Sequence, residues 1–279
     1  MSEEWSIDTP RVLDIGGDGE KVGRLSVAVV GGRVDVVTHT DSPTARVEIA
    51  QIEGMPVKVT WDGWKLKITH GVDSTRILDR VRQAFEGLER NRVALSISIP
   101  EDAETSVSTV SASGLLAGMR AGAKANTVSG SITIDDVVGD VDINTVSGEV
   151  ECGNVRGRLK VHSVSGAVTA QQSDVPEVSI STVSGDVALD LLNSAASIKS
   201  TSVSGDVTVR APHGGYDVTA NTASGQVVID GHAIHKHSYT AGNRLTDGDG
   251  SLRVKANAVS GNVVVLKSAV AAQPDGASA

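Results

Sequence analysis

Polar and apolar residues alternate through most of the second half of the chain, and the alternation restarts at a fixed interval. With the glycines Gly130, Gly148, Gly166, Gly185, Gly205, Gly225 and Gly261 as markers, the intervals are 18, 18, 19, 20, 20 and 36 residues. Two residues after each marker stand Ile132, Val150, Val168, Val187, Val207, Val227 and Val263. Four residues after stand Ile134, Cys152, Ala170, Leu189, Val209, Ile229 and Val265. Two residues before stand Val128, Val146, Val164, Val183, Val203, Ala223 and Val259. The positions between them are mainly Ser, Thr, Asp and Glu. Period-two alternation predicts strands with one buried face, so all three rows are expected to point inward.

A second strand follows in each repeat, at Val141 and Ile143, Leu159 and Val161, and Val178 and Ile180. Fainter versions lie around Ile198, Tyr216–Val218 and Leu252–Val254. Two short strands per 18–20 residues, with no helix between them, exclude a doubly wound sheet and predict an all-β fold, a single-stranded parallel β-solenoid. Each repeat is then one rung. The 36-residue interval reads as two periods, one of them disguised, which gives about eight rungs and a rod about 40 Å long. The repeated phrase "NTVSG" describes a shape rather than a site. Glycine suits a tight corner, Ser and Thr can bond their own backbone there, and Asn126 is expected to lie over Asn144 in an amide ladder.

The phrases "TVSGSITIDDVVGDVDINTVSGEV" (127–150) and "STSVSGDVTV" (200–209) resemble the bacterial "putative adhesin" β-strand-repeat family of unknown function. The likeness is strong over Ser96–Lys267 and looser over the first hundred residues, in "GGRVDVV" and "VTWDGWKLKITH". It implies a β-solenoid, an envelope-stress or cell-surface setting, and no established catalytic residues to carry over.

The first hundred residues read differently. Strands are predicted at Leu25–Val30, Arg33–Thr38, Arg46–Ile52, Val57–Trp61 and Lys65–Thr69, separated by Gly-, Pro- and Asp-rich turns. "DSTRILDRVRQAFEGLER" (73–90) predicts an amphipathic helix capped by Asp73 or Ser74, with Ile77, Leu78, Val81, Phe85 and Leu88 in one stripe. The expected division is a cap over 1–99, the solenoid over 100–267 and a disordered tail over 268–279. Trp61, Trp64 and Phe85 are expected in the core of the cap, since the end of a solenoid exposes strand edges that need covering.

Composition narrows the chemistry. The chain is 39% apolar, with three Trp, two Tyr and one Phe, so the rod core must be aliphatic. The single cysteine, Cys152, excludes an intramolecular disulfide and is expected buried and inert. Net charge is −9, and Asn126–Asp230 holds thirteen acids against five bases. A segment so acidic argues against nucleic acid. "MSEEWSIDTPRVLD" has no apolar segment, and no stretch reaches the ~18–20 apolar residues of a membrane span. The expectation is a cytoplasmic protein without direct membrane insertion.

Between Gly225 and Gly250 the chain runs about 25 residues where about nine is usual, so 231–249 is expected to leave the rod as a loop. His232, His235 and His237 lie in it as weak metal candidates. A structural zinc site usually takes four ligands and no cysteine is near, so no metal and no cofactor is expected. "DGDGS" at 247–251 lacks the distal glutamate of a calcium-binding loop. Asp186 and Asp206 follow the corner glycines and are expected as a solvated acidic edge. The serines lack a nucleophile elbow, and the rod has no Trp or Phe to stack on a sugar, so no catalytic residue is assigned. Val263, Val264, Val265 and Leu266 form the last predicted strand, an open edge for self-association or a docking protein. The expected function is a non-enzymatic scaffold or protein-interaction solenoid. The alternatives are a polysaccharide-binding or polysaccharide-modifying β-helix, or a self-assembling structural protein.

Overall fold

The computed structural model describes residues 2–17, 19–71, 91–212, 214–234 and 243–267. The helix expected at 73–90, with Phe85, lies outside the described residues, as do His235, His237 and the tail 268–279. Every regular element among the described residues is a strand. The N-terminal set is β1 (Glu3–Ile7), β2 (Arg11–Ile15), β3 (Arg24–Val29), β4 (Gly31–His39), β5 (Ala45–Glu53), β6 (Val57–Trp61), β7 (Lys65–His70) and β8 (Arg92–Pro100). The repeat strands are β9 (Glu104–Thr109), β10 (Ser113–Ala117), β11 (Ala123–Thr127), β12 (Ile132–Asp135), β13 (Val141–Thr145), β14 (Val150–Gly153), β15 (Arg156–Ser165), β16 (Val168–Ser184), β17 (Val187–Leu191), β18 (Ser197–Ser204) and β19 (Val207–Ala211). Last come β20 (Tyr216–Ser224), β21 (Val227–Ile229), β22 (His232–Ile234), β23 (Asn243–Asp247), β24 (Leu252–Ser260) and β25 (Val263–Lys267).

From β9 to β19 the chain alternates between two faces, and like strands stack in parallel register. On the first face β9, β11, β13, β15, β16 and β18 pair in turn. On the second face β10, β12, β14, β16, β17 and β19 do the same. The long β16 serves both, its first residues pairing with β14 and its later ones with β18. Exact register puts Ile132, Val150, Val168, Val187 and Val207 one above another, all at most 1% exposed. Each buried aliphatic side chain contributes about 1.5–3 kcal/mol, so the repeated +2 and +4 positions form the core as the alternation predicts. The result is solenoid-like and all-β.

The ends depart from a purely parallel coil. The rung β24/β25 does not terminate the stack: it lies between β18/β19 and β20/β21, parallel to both. Val263–Leu266 is therefore an interior strand, corrected from the expected open edge. No rung is hidden in the 36-residue interval either, because the corners at Gly225 and Gly261 are in contact. The surplus chain forms β22 and β23, antiparallel to β21 and β20. Arg244 fastens this flap to Asp217 by two hydrogen bonds of 2.8 Å, and that pairing holds the Asp217 carboxyl below the usual range.

The opposite end mirrors this construction. The rung β3/β4 sits between β9/β10 and β7/β8, so the first hundred residues continue both faces. Beyond it β6 and β1, and β5 and β2, run antiparallel. Trp61 is buried and donates its indole N–H to Glu20 at 2.7 Å. Trp64 is 57% exposed and lies over Gly23, so it is not core. The aromatic count could not separate these two tryptophans: Trp61 ends the inward row of β6 after Val57 and Val59, whereas Trp64 stands in the turn before β7.

His70, at the end of β7, is 1% exposed, and burial pushes its imidazole pKa below the ordinary 6.5. Below about pH 6.5 the unfolded chain takes up a proton that the folded chain resists. The stabilisation is thus present above that pH and is lost as pH falls through the folded value. Melting temperature is expected to drop between pH 7 and 5, with a shallower slope in His70→Leu. An unchanged slope would remove His70 as its source.

Candidate functional site

The corners joining first-face to second-face strands share one geometry. In "TVSG" the threonine stays in the inward row: Thr127, Thr145, Ser163, Thr182, Ser202 and Thr222 are all buried. The Thr127 and Thr145 hydroxyl oxygens accept hydrogen bonds from the N–H of Gly130 and Gly148, at 3.0 and 2.9 Å. That bond bends the chain just after the valine, which by the parity of the preceding strand stands on the outside. Val128, Val146, Val164, Val183, Val203 and Val259 are 46–55% exposed. The expectation that these valines point inward is thereby corrected.

Stacking converts single valines into a ridge. The corner order along the rod is 110, 128, 146, 164, 183, 203, 259, 223, with the last two inverted by the inserted rung. At about 4.8 Å per rung, the six exposed valines span roughly 24 Å. The serines beside them are exposed too. Ser129 and Ser147 donate their hydroxyls to the carbonyls of Val110 and Val128, both at 3.1 Å, and so tie successive corners together. The first of these corners, Thr109–Ala112, carries alanine in place of glycine, which hid it from a search by glycine spacing.

Beside the ridge the expected amide ladder is present. The Asn144 amide donates to Asn126 at 3.1 Å, and Asn221 to Asn257 at 3.0 Å. On the second-face side, Asp186 accepts the backbone N–H of Asp206 at 2.9 Å, and Asp206 accepts that of Asn262 at 2.7 Å. These carboxylates are exposed, as expected of a solvated edge, and they also clip one rung to the next.

The remaining candidates do not assemble. His232 is exposed, its Nδ1 3.0 Å from the Asp230 carbonyl. Among the described residues no group of three His, Cys, Asp or Glu side chains could hold a metal. Asp249 accepts the Ser251 N–H at 3.1 Å, a local turn. Cys152 is buried in the inward row, and burial pushes its thiol up to about 12. Thiol reagents are expected to react with it only after unfolding; rapid labelling of the native protein would contradict its placement.

Residues 33–266 match the family model described as Toastrack DUF4097. No curated protein matches the chain. Among solved structures, a "putative lipid binding protein" from Parabacteroides distasonis is 14% identical, with TM-score 0.52, covering 92% of this chain and 97% of its own. A "putative adhesin" from the same organism is 12% identical, with TM-score 0.45, covering 95% and 96%. Another from Bacteroides fragilis is 14% identical, with TM-score 0.41, covering 92% and 97%. At 14% identity the first of these likenesses concerns the fold alone.

Proposed function

The chain belongs to the Toastrack DUF4097 family, and from that premise we propose that it is a non-enzymatic interaction module whose contact surface is the valine–serine ridge. The observation that carries this reading is the line of six half-exposed valines on a rigid stack. Such a stripe amounts to on the order of a few hundred Å², the size of exposed apolar patch that on monomers often marks a binding site. Valine is stiff at χ1 and lies on hydrogen-bonded backbone, so little side-chain freedom is lost on contact.

The absence of catalysis is part of the same proposal. It is supported by how the carboxylates are used: Asp186 and Asp206 clip rungs, and Glu104 and Asp142 face Arg24 and Lys124. Those last two pairs line an open depression of about 430 Å³ on the first face. Paired acids of this kind are poorly suited to general acid–base work, which needs carboxyl groups set apart in protonation. No helix among the described residues is long and apolar enough to cross a membrane. We extend the reading to surface-associated or envelope-stress regulation, acting through binding.

A photo-crosslinking side chain placed in the host cell at Val183 or at outward Ala188 tests the site. A defined adduct is expected from position 183, weakened by Val164→Ser with Val203→Ser. Equal yields from both positions, unaffected by the ridge variants, would overturn the assignment.

A further inference from the structure

We infer that the first face is a docking surface for an anionic lipid bilayer, with the valine ridge along one margin of the contact. The inference rests on the interaction-module reading and names the chemistry of the partner. Strand register carries it. Lys67, Lys124, Lys160, Lys199, Lys255 and Arg244 occupy a single outward row that crosses eleven strands from β7 to β23. That row is about 48 Å long, and its one acid between those ends is Asp142.

Lys124 faces Asp142 at 3.7 Å, and Arg244 is engaged by Asp217. The other four lysines have no carboxylate partner among the described residues. Three of them, Lys160, Lys199 and Lys255, are exposed and fall within about 15 Å of one another along the stack. In the row beside them the acids are already matched, Arg158 pairing with Asp140 and Glu177. A chain of net charge −9 thus collects a cationic strip on one flat side.

The choice of a bilayer over a free polyanion follows from spacing. Lys160, Lys199 and Lys255 each stand four residues before a ridge valine on the same strand: Val164, Val203 and Val259. That places a cationic line and an apolar line parallel, about 13 Å apart. A hydrophilic polyanion would use only the first. A bilayer takes both, with anionic headgroups at the lysines and the acyl boundary at the valines. The row also carries no aromatic side chain on which a single strand of polymer would stack.

The test is co-sedimentation of the full chain with vesicles of pure phosphatidylcholine or of phosphatidylcholine containing about 30% phosphatidylglycerol. Binding to the anionic vesicles is expected to be at least tenfold stronger, and to fall at least tenfold in about 0.5 M salt. Lys160→Glu with Lys199→Glu and Lys255→Glu should abolish that preference while leaving the melting temperature unchanged. Val164→Ser with Val203→Ser and Val259→Ser should weaken binding severalfold. Absence of vesicle binding, or binding indifferent to the lysine changes, overturns the inference. So does binding of dextran sulfate as tight as vesicle binding and insensitive to the valine changes, which would make the occupant a free polyanion. Ridge-specific crosslinks to a protein without vesicle binding would sink the bilayer and leave the interaction-module reading standing.

Discussion

Val207→Asp is expected to abolish most of the folded state at room temperature, while Thr208→Asp, one residue on, should barely move the melting curve. Val207 is 0% exposed and pairs in register between Val187 and Val263. A carboxylate there would have apolar neighbours above and below and no hydrogen-bond donor, a cost of several kcal/mol even after it takes up a proton. Whole-domain stabilities are only about 5–15 kcal/mol. Thr208 lies in the outward row of the second face, where an added charge meets water. Paired urea and thermal melts measure the difference. If the two variants rank the other way, the assigned parity is wrong.

The second large effect is expected at the corner glycines. Gly205 has φ +123°, a conformation that L side chains rarely adopt, and an added Cβ would fall well inside contact distance of the Gly185 carbonyl oxygen. That neighbour cannot yield, because the Gly185 N–H is itself held by Ser204 at 3.1 Å. Gly205→Ala therefore combines backbone strain of about 1–3 kcal/mol with forced separation of two rungs, and a loss of at least about 3 kcal/mol is expected. Gly231 provides the control. Its φ is +79°, but a Cβ there meets nothing within 4 Å, so Gly231→Ala should cost only about 1 kcal/mol. Equal losses in urea titrations would show that strain alone matters and that the corners are not in contact.

Much of the rod was legible because a stack multiplies its signal. Inward positions such as Val187 and Leu189 recur in register, and stacking leaves them no other place. The corner was misread because alternation was carried through it unbroken. In the preceding strand Val141 and Ile143 face inward, which makes Thr145 inward and Val146 outward. That parity was available in the sequence. The signal is a hydroxyl residue three positions before six of the seven marker glycines (Ala258 stands before Gly261), followed in five of those six by a valine stranded between two polar residues.

The order of the last rungs had no such signal. Val207, Val227 and Val263 offer equivalent inward side chains, so near-identical rungs can stack in either sequence. What decides is the flap: β22 and β23 can cap β21 and β20 only if the chain first travels to the end and then returns through β24 and β25. Charge was misleading for a related reason. A sum along Asn126–Asp230 is acidic, yet strand register sorts Lys160 and Lys199 from that segment into one row with Lys255 from beyond it, with no acid between them.

The outward ridge underlies both functional readings, and valine-methyl NMR with a soluble paramagnetic agent reads it directly. The account predicts strong broadening of the Val128, Val146, Val164, Val183, Val203 and Val259 methyl signals, and protection of those of Val187 and Val207. Corner valines as protected as Val187 would contradict it.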